Sequence, residues 1–118
     1  MQGTKGDEEA TMNVARQMLN VLDNFDRAFK IMEAETDDEK ALEAAYQETY
    51  AKILSIFKEL GVTEIEALGK EFDYEFHQAV LQRPHEDYEE GFVCEELQKG
   101  YVLNGSRLVR AVMVSVAA

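Results

Sequence analysis

Three carboxylates and a histidine fall within seven residues at Glu71-Phe72-Asp73-Tyr74-Glu75-Phe76-His77. Carboxylate oxygens and imidazole nitrogens are ligands for a divalent metal, and they also make acid–base pairs. On an extended strand Glu71, Asp73, Glu75 and His77 would share one face. Metal sites usually draw ligands from separated segments, however, and the other histidine, His85, lies beyond Pro84. The competing reading is a short turn anchored by Phe72 and Phe76, with its carboxylates in water. Cys94 is the only cysteine and would have to pair with His77 to form a nucleophile and base. Flanked by Val93 and by Glu95 and Glu96, it sits where a thiolate is not favoured, and it reads as a strand cysteine turned inward.

No other constellation supplies catalytic parts. The chain has no Gly-rich phosphate loop, no Cys-x-x-Cys pair, no His-Glu-x-x-His helix and no Gly-x-Ser-x-Gly elbow. The expectation is therefore a non-enzyme with no catalytic residues, no metal, no cofactor and no direct contact with nucleotide.

The elements that would carry these residues divide the chain in two. From Glu8 to Met32 there is no Pro or Gly, and Ala15, Met18, Leu22, Phe25, Phe29 and Met32 follow three–four spacing, the pattern of a helical seam. At that spacing the aromatic and methionine side chains read as core and not as a cofactor slot. Leu19, Val21, Ala28 and Ile31 widen the stripe, as expected for a helix with two neighbours. Thr36-Asp37-Asp38 supplies turn and N-cap residues, and a second periodic run places Leu42, Tyr46, Thr49, Ile53, Ile56 and Leu60 on one face. Gly61 stands where a left-handed C-terminal residue belongs. The short connection predicts an antiparallel hairpin, and two helices enclose so little core that two hairpins should pair into a four-helix bundle.

After Gly61 the period changes. Val62–Ala67 alternates, and Phe92-Val93-Cys94 and Val112–Val116 are strand-like. Asn104-Gly105 between apolar flanks signals a hairpin, because both residues tolerate positive φ. The expected fold class is α+β: residues 1–60 form a helical dimerisation region and residues 61–118 a small all-β domain.

Composition sets the outer limits. The chain has 118 residues, 46% hydrophobic and 31% charged, which argues against disorder, and no apolar run is long enough to span a membrane. A net charge of −12 opposes nucleic acid and anionic lipid. Beyond Glu96 there is no acid, while Lys99, Arg107 and Arg110 all follow it, so a specific acidic partner surface is expected at that end. A single cysteine points to a reducing compartment, and Met1–Gly6 shows no signal-peptide pattern.

Four spaced blocks carry a family resemblance. Leu22-Asp23-Asn24-Phe25-Asp26-Arg27-Ala28, Phe72–Val80 with its His77-Gln78-Ala79, Leu97-Gln98-Lys99-Gly100-Tyr101-Val102-Leu103-Asn104-Gly105, and Arg110-Ala111-Val112-Met113-Val114-Ser115-Val116 occur in the order of the GrpE family. The sequence resembles that family from about Leu19 to Ala118. Phe72-Asp73 and the Arg27-Ala28 context point to its cyanobacterial and plastid branch. The resemblance implies a dimeric co-chaperone that holds open the nucleotide-binding domain of a DnaK-type heat-shock chaperone so that ADP leaves. It also implies chaperone contacts at Leu97, Arg107 and Val116, to which the cationic end adds Lys99 and Arg110. The turn Asn104-Gly105-Ser106 is one residue longer than the usual family hairpin, so the hairpin arginine position falls on Ser106 or Arg107. Only the last stretch of the family's long paired helix is present. The dimer interface is expected at Met18, Leu22, Phe25, Phe29, Leu42, Tyr46 and Ile53. The compartment implied is bacterial cytoplasm, or else chloroplast stroma or mitochondrial matrix. Two rival readings are a bare dimerisation scaffold and a small metal-dependent hydrolase built on Glu71–His77.

Overall fold

The computed structural model describes residues 5–118, which form two compact units divided between Gly61 and Val62. The first unit holds α1 (Lys5–Ile31) and α2 (Asp37–Glu59). Acids in the first turns (Asp7 and Glu8; Asp37, Asp38 and Glu39) and Lys30 and Lys58 in the last turns suit the helix dipoles. Thr36 caps α2: its hydroxyl accepts the Glu39 N–H at 3.1 Å, and the Glu39 carboxylate reaches back to accept the Glu35 N–H at 3.1 Å. The first bond satisfies an orphan donor of the helix start, and the second ties down the residue before the cap. The other end closes at Gly61, whose φ of +88° lets its N–H reach the Lys58 carbonyl at 3.0 Å.

Along α1, Met12, Ala15, Leu19 and Leu22 are buried. The covered stripe is thus shifted from the predicted one, with Leu19 inside and Met18 half-buried. Further along, Phe25 and Phe29 meet Tyr50 edge-on at centroid distances of 6.1 and 5.5 Å, and Phe25 also meets Tyr46 at 6.2 Å. Such edge-to-face pairs join the positive rim of one ring to the negative face of another.

The second unit contains two three-stranded sheets. In the first, β4 (Tyr101–Leu103) lies between β1 (Val62–Glu64) and β5 (Arg107–Arg110), antiparallel to both. In the second, β6 (Val112–Ala117) lies between β2 (His77–Arg83), which it pairs in parallel, and β3 (Val93–Gln98), which it pairs antiparallel. The central strand β6 is buried along most of its length, with Val112, Val114, Ser115, Val116 and Ala117 all inside. Val112, Val114 and Val116 pack in one cluster with Ala67 and Val93, edged by Ile65 and Phe72. The predicted strand at Val62–Ala67 stops at Glu64, because Ala67 turns away to a side-chain acceptor described below. The Asn104-Gly105 turn joins β4 to β5 with φ of +53° and +78°, as its composition predicts.

One close approach links the two sheets. A Cβ on Gly100 would lie 2.5 Å from the Val112 nitrogen and 2.6 Å from the Arg110 carbonyl oxygen, closer than nonbonded atoms approach. Gly105, by contrast, needs glycine only for its φ and has open space around it. Gly100→Ala should therefore cost about 3 kcal/mol, the upper end for overpacking against backbone. Gly105→Ala should cost about 1–2 kcal/mol of left-handed strain. Urea unfolding followed by near-ultraviolet dichroism of the tyrosines tests the ranking, and equal costs would contradict it.

Candidate partner-binding surface

The cationic residues of the C-terminal stretch belong to the first sheet or its margin. Arg107 opens β5 opposite Leu103 and is half-buried, while Ser106 is exposed within the turn and donates its N–H to the Leu103 carbonyl at 3.3 Å. Lys99 precedes β4. Its ammonium lies 3.5 Å from the Glu64 carboxylate, both side chains being about one-third exposed. The absence of acids beyond Glu96 thus does not leave Lys99 without a local counter-charge. Antiparallel pairing of Glu64 with Tyr101 brings an acid from thirty-five residues upstream beside it. A partly exposed pair of this kind is worth little in stability, but it reduces the positive field that Lys99 presents.

Arg110 ends β5 and turns inward to its own unit. Its Nε and Nη2 both donate to the Lys99 carbonyl, at 3.0 and 2.5 Å. A guanidinium can grip one oxygen in this forked way because its donors are held in a plane. The grip fixes the turn that carries Lys99 and Gly100, so Arg110 is placed as a positioning residue.

The two apolar residues expected to join these bases lie in the other sheet. Leu97 is half-buried on β3, where the register with β6 shifts between Glu96 and Gln98. Val116 is only 6% exposed and packs in the β6 core cluster. In the single chain it therefore offers little side-chain area of its own. Alternation along a strand between two neighbours turns such a valine into the core.

The Glu71–His77 stretch is a turn and not a ligand-bearing strand. Glu71 makes an isolated bridge to Phe92, a turn follows, and β2 starts only at His77. Glu71, Asp73 and Glu75 are exposed, and Phe72 and Phe76 are half-buried. Among the described residues no group of His, Cys, Asp or Glu converges as a metal-ligand set does. Cys94 is buried, its thiol directed at the Ser115 carbonyl, 3.4 Å away. An open depression of about 320 Å³ borders this turn, and Lys70, Phe76, His77, Val102 and Gly105 are among its lining residues.

Two carboxylates that hold this surface together were not singled out in the sequence. One oxygen of Glu96 accepts the N–H groups of Ala67 and Leu68 at 2.9 and 3.2 Å, clipping the loop after β1 to β3. Glu95 accepts from Arg83 at 2.9 Å and from the Ser115 hydroxyl at 3.3 Å, tying together all three strands of the second sheet. Partners this far apart in sequence leave no local signal.

A helical pair followed by a β unit of two small sheets defines an α+β protein. The GrpE family pattern matches residues 2–118. Protein GrpE of Synechococcus sp. (strain WH7803) is 38% identical over 109 residues, covering 92% of this chain and 45% of that protein. Protein GrpE of Trichormus variabilis is 38% identical over 112 residues, covering 95% of this chain and 45% of that protein. Protein GrpE of Prochlorococcus marinus (strain MIT 9303) is 40% identical over 101 residues, covering 86% and 42%. The chain belongs to the GrpE family. It spans about half the length of the curated relatives it matches, and these three are cyanobacterial, in keeping with the branch to which Phe72-Asp73 pointed.

The forked bond predicts different behaviour for two neighbouring arginines. Arg110→Ala should lower the stability of the β unit by about 1–2 kcal/mol, the cost of a charge-assisted bond that is partly open to water. Arg107→Ala, on a half-buried side chain at the start of the strand, should cost less, about 0.5–1 kcal/mol. Thermal melts of the two variants would contradict this placement if Arg107→Ala were the more damaging.

Proposed function

We propose that this chain is a co-chaperone which binds the nucleotide-binding domain of a DnaK-type heat-shock chaperone and promotes release of ADP. The observation that carries this reading is the family match, which runs through both units from residue 2 to residue 118. The mechanism is differential binding. A protein that prefers the open form of a cleft shifts the partner's population toward that form, and the nucleotide then escapes without being touched. No catalytic group, cofactor or metal is required of the exchange factor, and the proposal includes no turnover of its own. Its place is a reducing compartment, bacterial cytoplasm or plastid stroma, in line with the cyanobacterial relatives.

The partner contact is proposed at the β4–β5 hairpin. Arg107 would supply charge, Leu97 apolar area from the neighbouring sheet, and Lys99 long-range attraction moderated by Glu64. Arg110 and Val116 would act beneath this surface, the first by holding the Lys99 turn and the second through the β6 core. Release of labelled ADP from a DnaK-type chaperone should accelerate when the protein is added, and an unchanged rate would favour a scaffold without exchange activity. Arg107→Ala should weaken the complex by about 2 kcal/mol, roughly 30-fold, if the contact is desolvated. Calorimetric titration would contradict the assignment by returning the parent affinity.

A homodimer through the helices is the second part of the proposal. On α2 and its C-cap the large apolar residues Leu42, Tyr46, Ile56 and Leu60 remain exposed in the single chain, Leu42 by 52%. They recur at heptad-related positions with half-buried Ile53, a seam that water would otherwise cover. Met18, Phe25 and Phe29, half-buried on α1, also retain area to contribute. Leu22 is 0% exposed in the single chain, so it has no area left for a second copy and would support the interface from within. Light scattering at micromolar concentration should give twice the chain mass, and Leu42→Asp should give the single mass because a charge would be buried at the seam. A parent protein that scatters as a monomer would remove this part of the proposal.

A further inference from the structure

His77 opens β2 and is only 7% exposed, yet its imidazole performs a defined task in the turn before it. Nδ1 accepts the Asp73 N–H at 3.0 Å, which requires that nitrogen to carry no proton. The turn also closes through the N–H groups of His77 and Phe76 to the Asp73 carbonyl at 2.8 and 3.1 Å, and through the Glu75 N–H to the Asp73 carboxylate at 3.0 Å. Phe72 stacks obliquely on the imidazole at 5.9 Å. Tyr74, 82% exposed, is carried at the tip. Among these acceptors the imidazole is the one whose ordinary pKa lies near neutrality.

We propose that His77 is a pH-sensitive latch on the Asp73–Phe76 turn: the neutral ring holds the Asp73 N–H and keeps the turn closed, and protonation releases it. Asp73, Phe76 and His77 share the open depression with Val102 and Gly105 of the β4–β5 hairpin. Acid therefore loosens a wall of the surface beside that hairpin. The inference rests on the geometry of the turn and does not depend on exchange activity.

The charges around the ring set the direction. Burial lowers the His77 pKa below 6.5 and is the largest influence. Asp73 in the turn and Glu96 on β3 oppose it, and Lys70 in the loop before the turn adds to it. Glu66 and Glu71 also line the depression. With the folded value below the free one, the opened turn binds more protons than the closed turn. The latch is thus fully effective above about pH 6.5 and is lost as the pH falls from there through the folded value.

Nuclear magnetic resonance on the whole chain between pH 8 and pH 5 tests this. The His77 ring should titrate below 6.5. Protection of the Asp73 amide, corrected for the intrinsic pH dependence of exchange, should fall as the pH drops below 6.5, by at most about tenfold per pH unit, and level off below the folded value. The Val114 amide, inside the second sheet, should not follow it. In His77→Gln an uncharged acceptor replaces the ring, and Asp73 protection should lose its pH dependence. A His77 midpoint at or above 6.5, flat Asp73 protection in the parent, or the same fall in His77→Gln would each overturn the proposal. Should His77→Gln not fold, the two parent measurements decide the question alone.

Discussion

The β unit depends on one backbone crossing, where Gly100 lies against the Arg110–Val112 segment with no room for a side chain. On one side of that crossing the chain enters β4, the centre of the first sheet. On the other it leaves β5 and enters β6, the centre of the second. Three interactions converge there: the forked Arg110 bond to the Lys99 carbonyl, the Ile65 N–H to the Gly100 carbonyl at 2.9 Å, and the burial of Val112. The crossing sets where the hairpin begins, and so where Arg107 stands relative to Leu97.

Polar groups do the remaining positioning. Glu96 holds the loop after β1, Glu95 gathers Arg83 and Ser115, and His77 closes the turn that leads into β2. Each is a half-buried or buried group whose partners satisfy it, so each costs little to bury and removes alternative loop conformations. A small sheet with few buried large side chains gains much of its definition in this way.

Legibility followed the range of the interactions. Helix limits were readable because Thr36 and Gly61 act on backbone groups three residues away. The β4–β5 hairpin was readable because Asn104-Gly105 is a local conformational signal. Strand β2 was not recognised: every residue from Gln78 to Arg83 is exposed, so no alternation between core and solvent marks it. Its parallel partner β6 comes some thirty residues later, and that pairing has no local turn to announce it. Between the two readings of Glu71–His77, the turn anchored by Phe72 and Phe76 with its carboxylates in water is the one found, because β2 begins only at His77. The charge reading failed at Lys99 because Glu64 is distant along the chain and adjacent in the sheet. Family blocks do not distinguish Arg110, which bonds the Lys99 carbonyl, and Val116, which is buried among the β6 valines, from half-buried Arg107.

The central claim is that the β4–β5 hairpin and its neighbour Leu97 form the face that meets the chaperone. Hydrogen exchange of this chain, measured alone and with the nucleotide-binding domain of a DnaK-type chaperone in excess, tests it directly. The account predicts slowed exchange concentrated in residues 97–110, with little change at the N-terminal end of α1. Slowed exchange confined to the helices, with residues 97–110 unchanged, would contradict it.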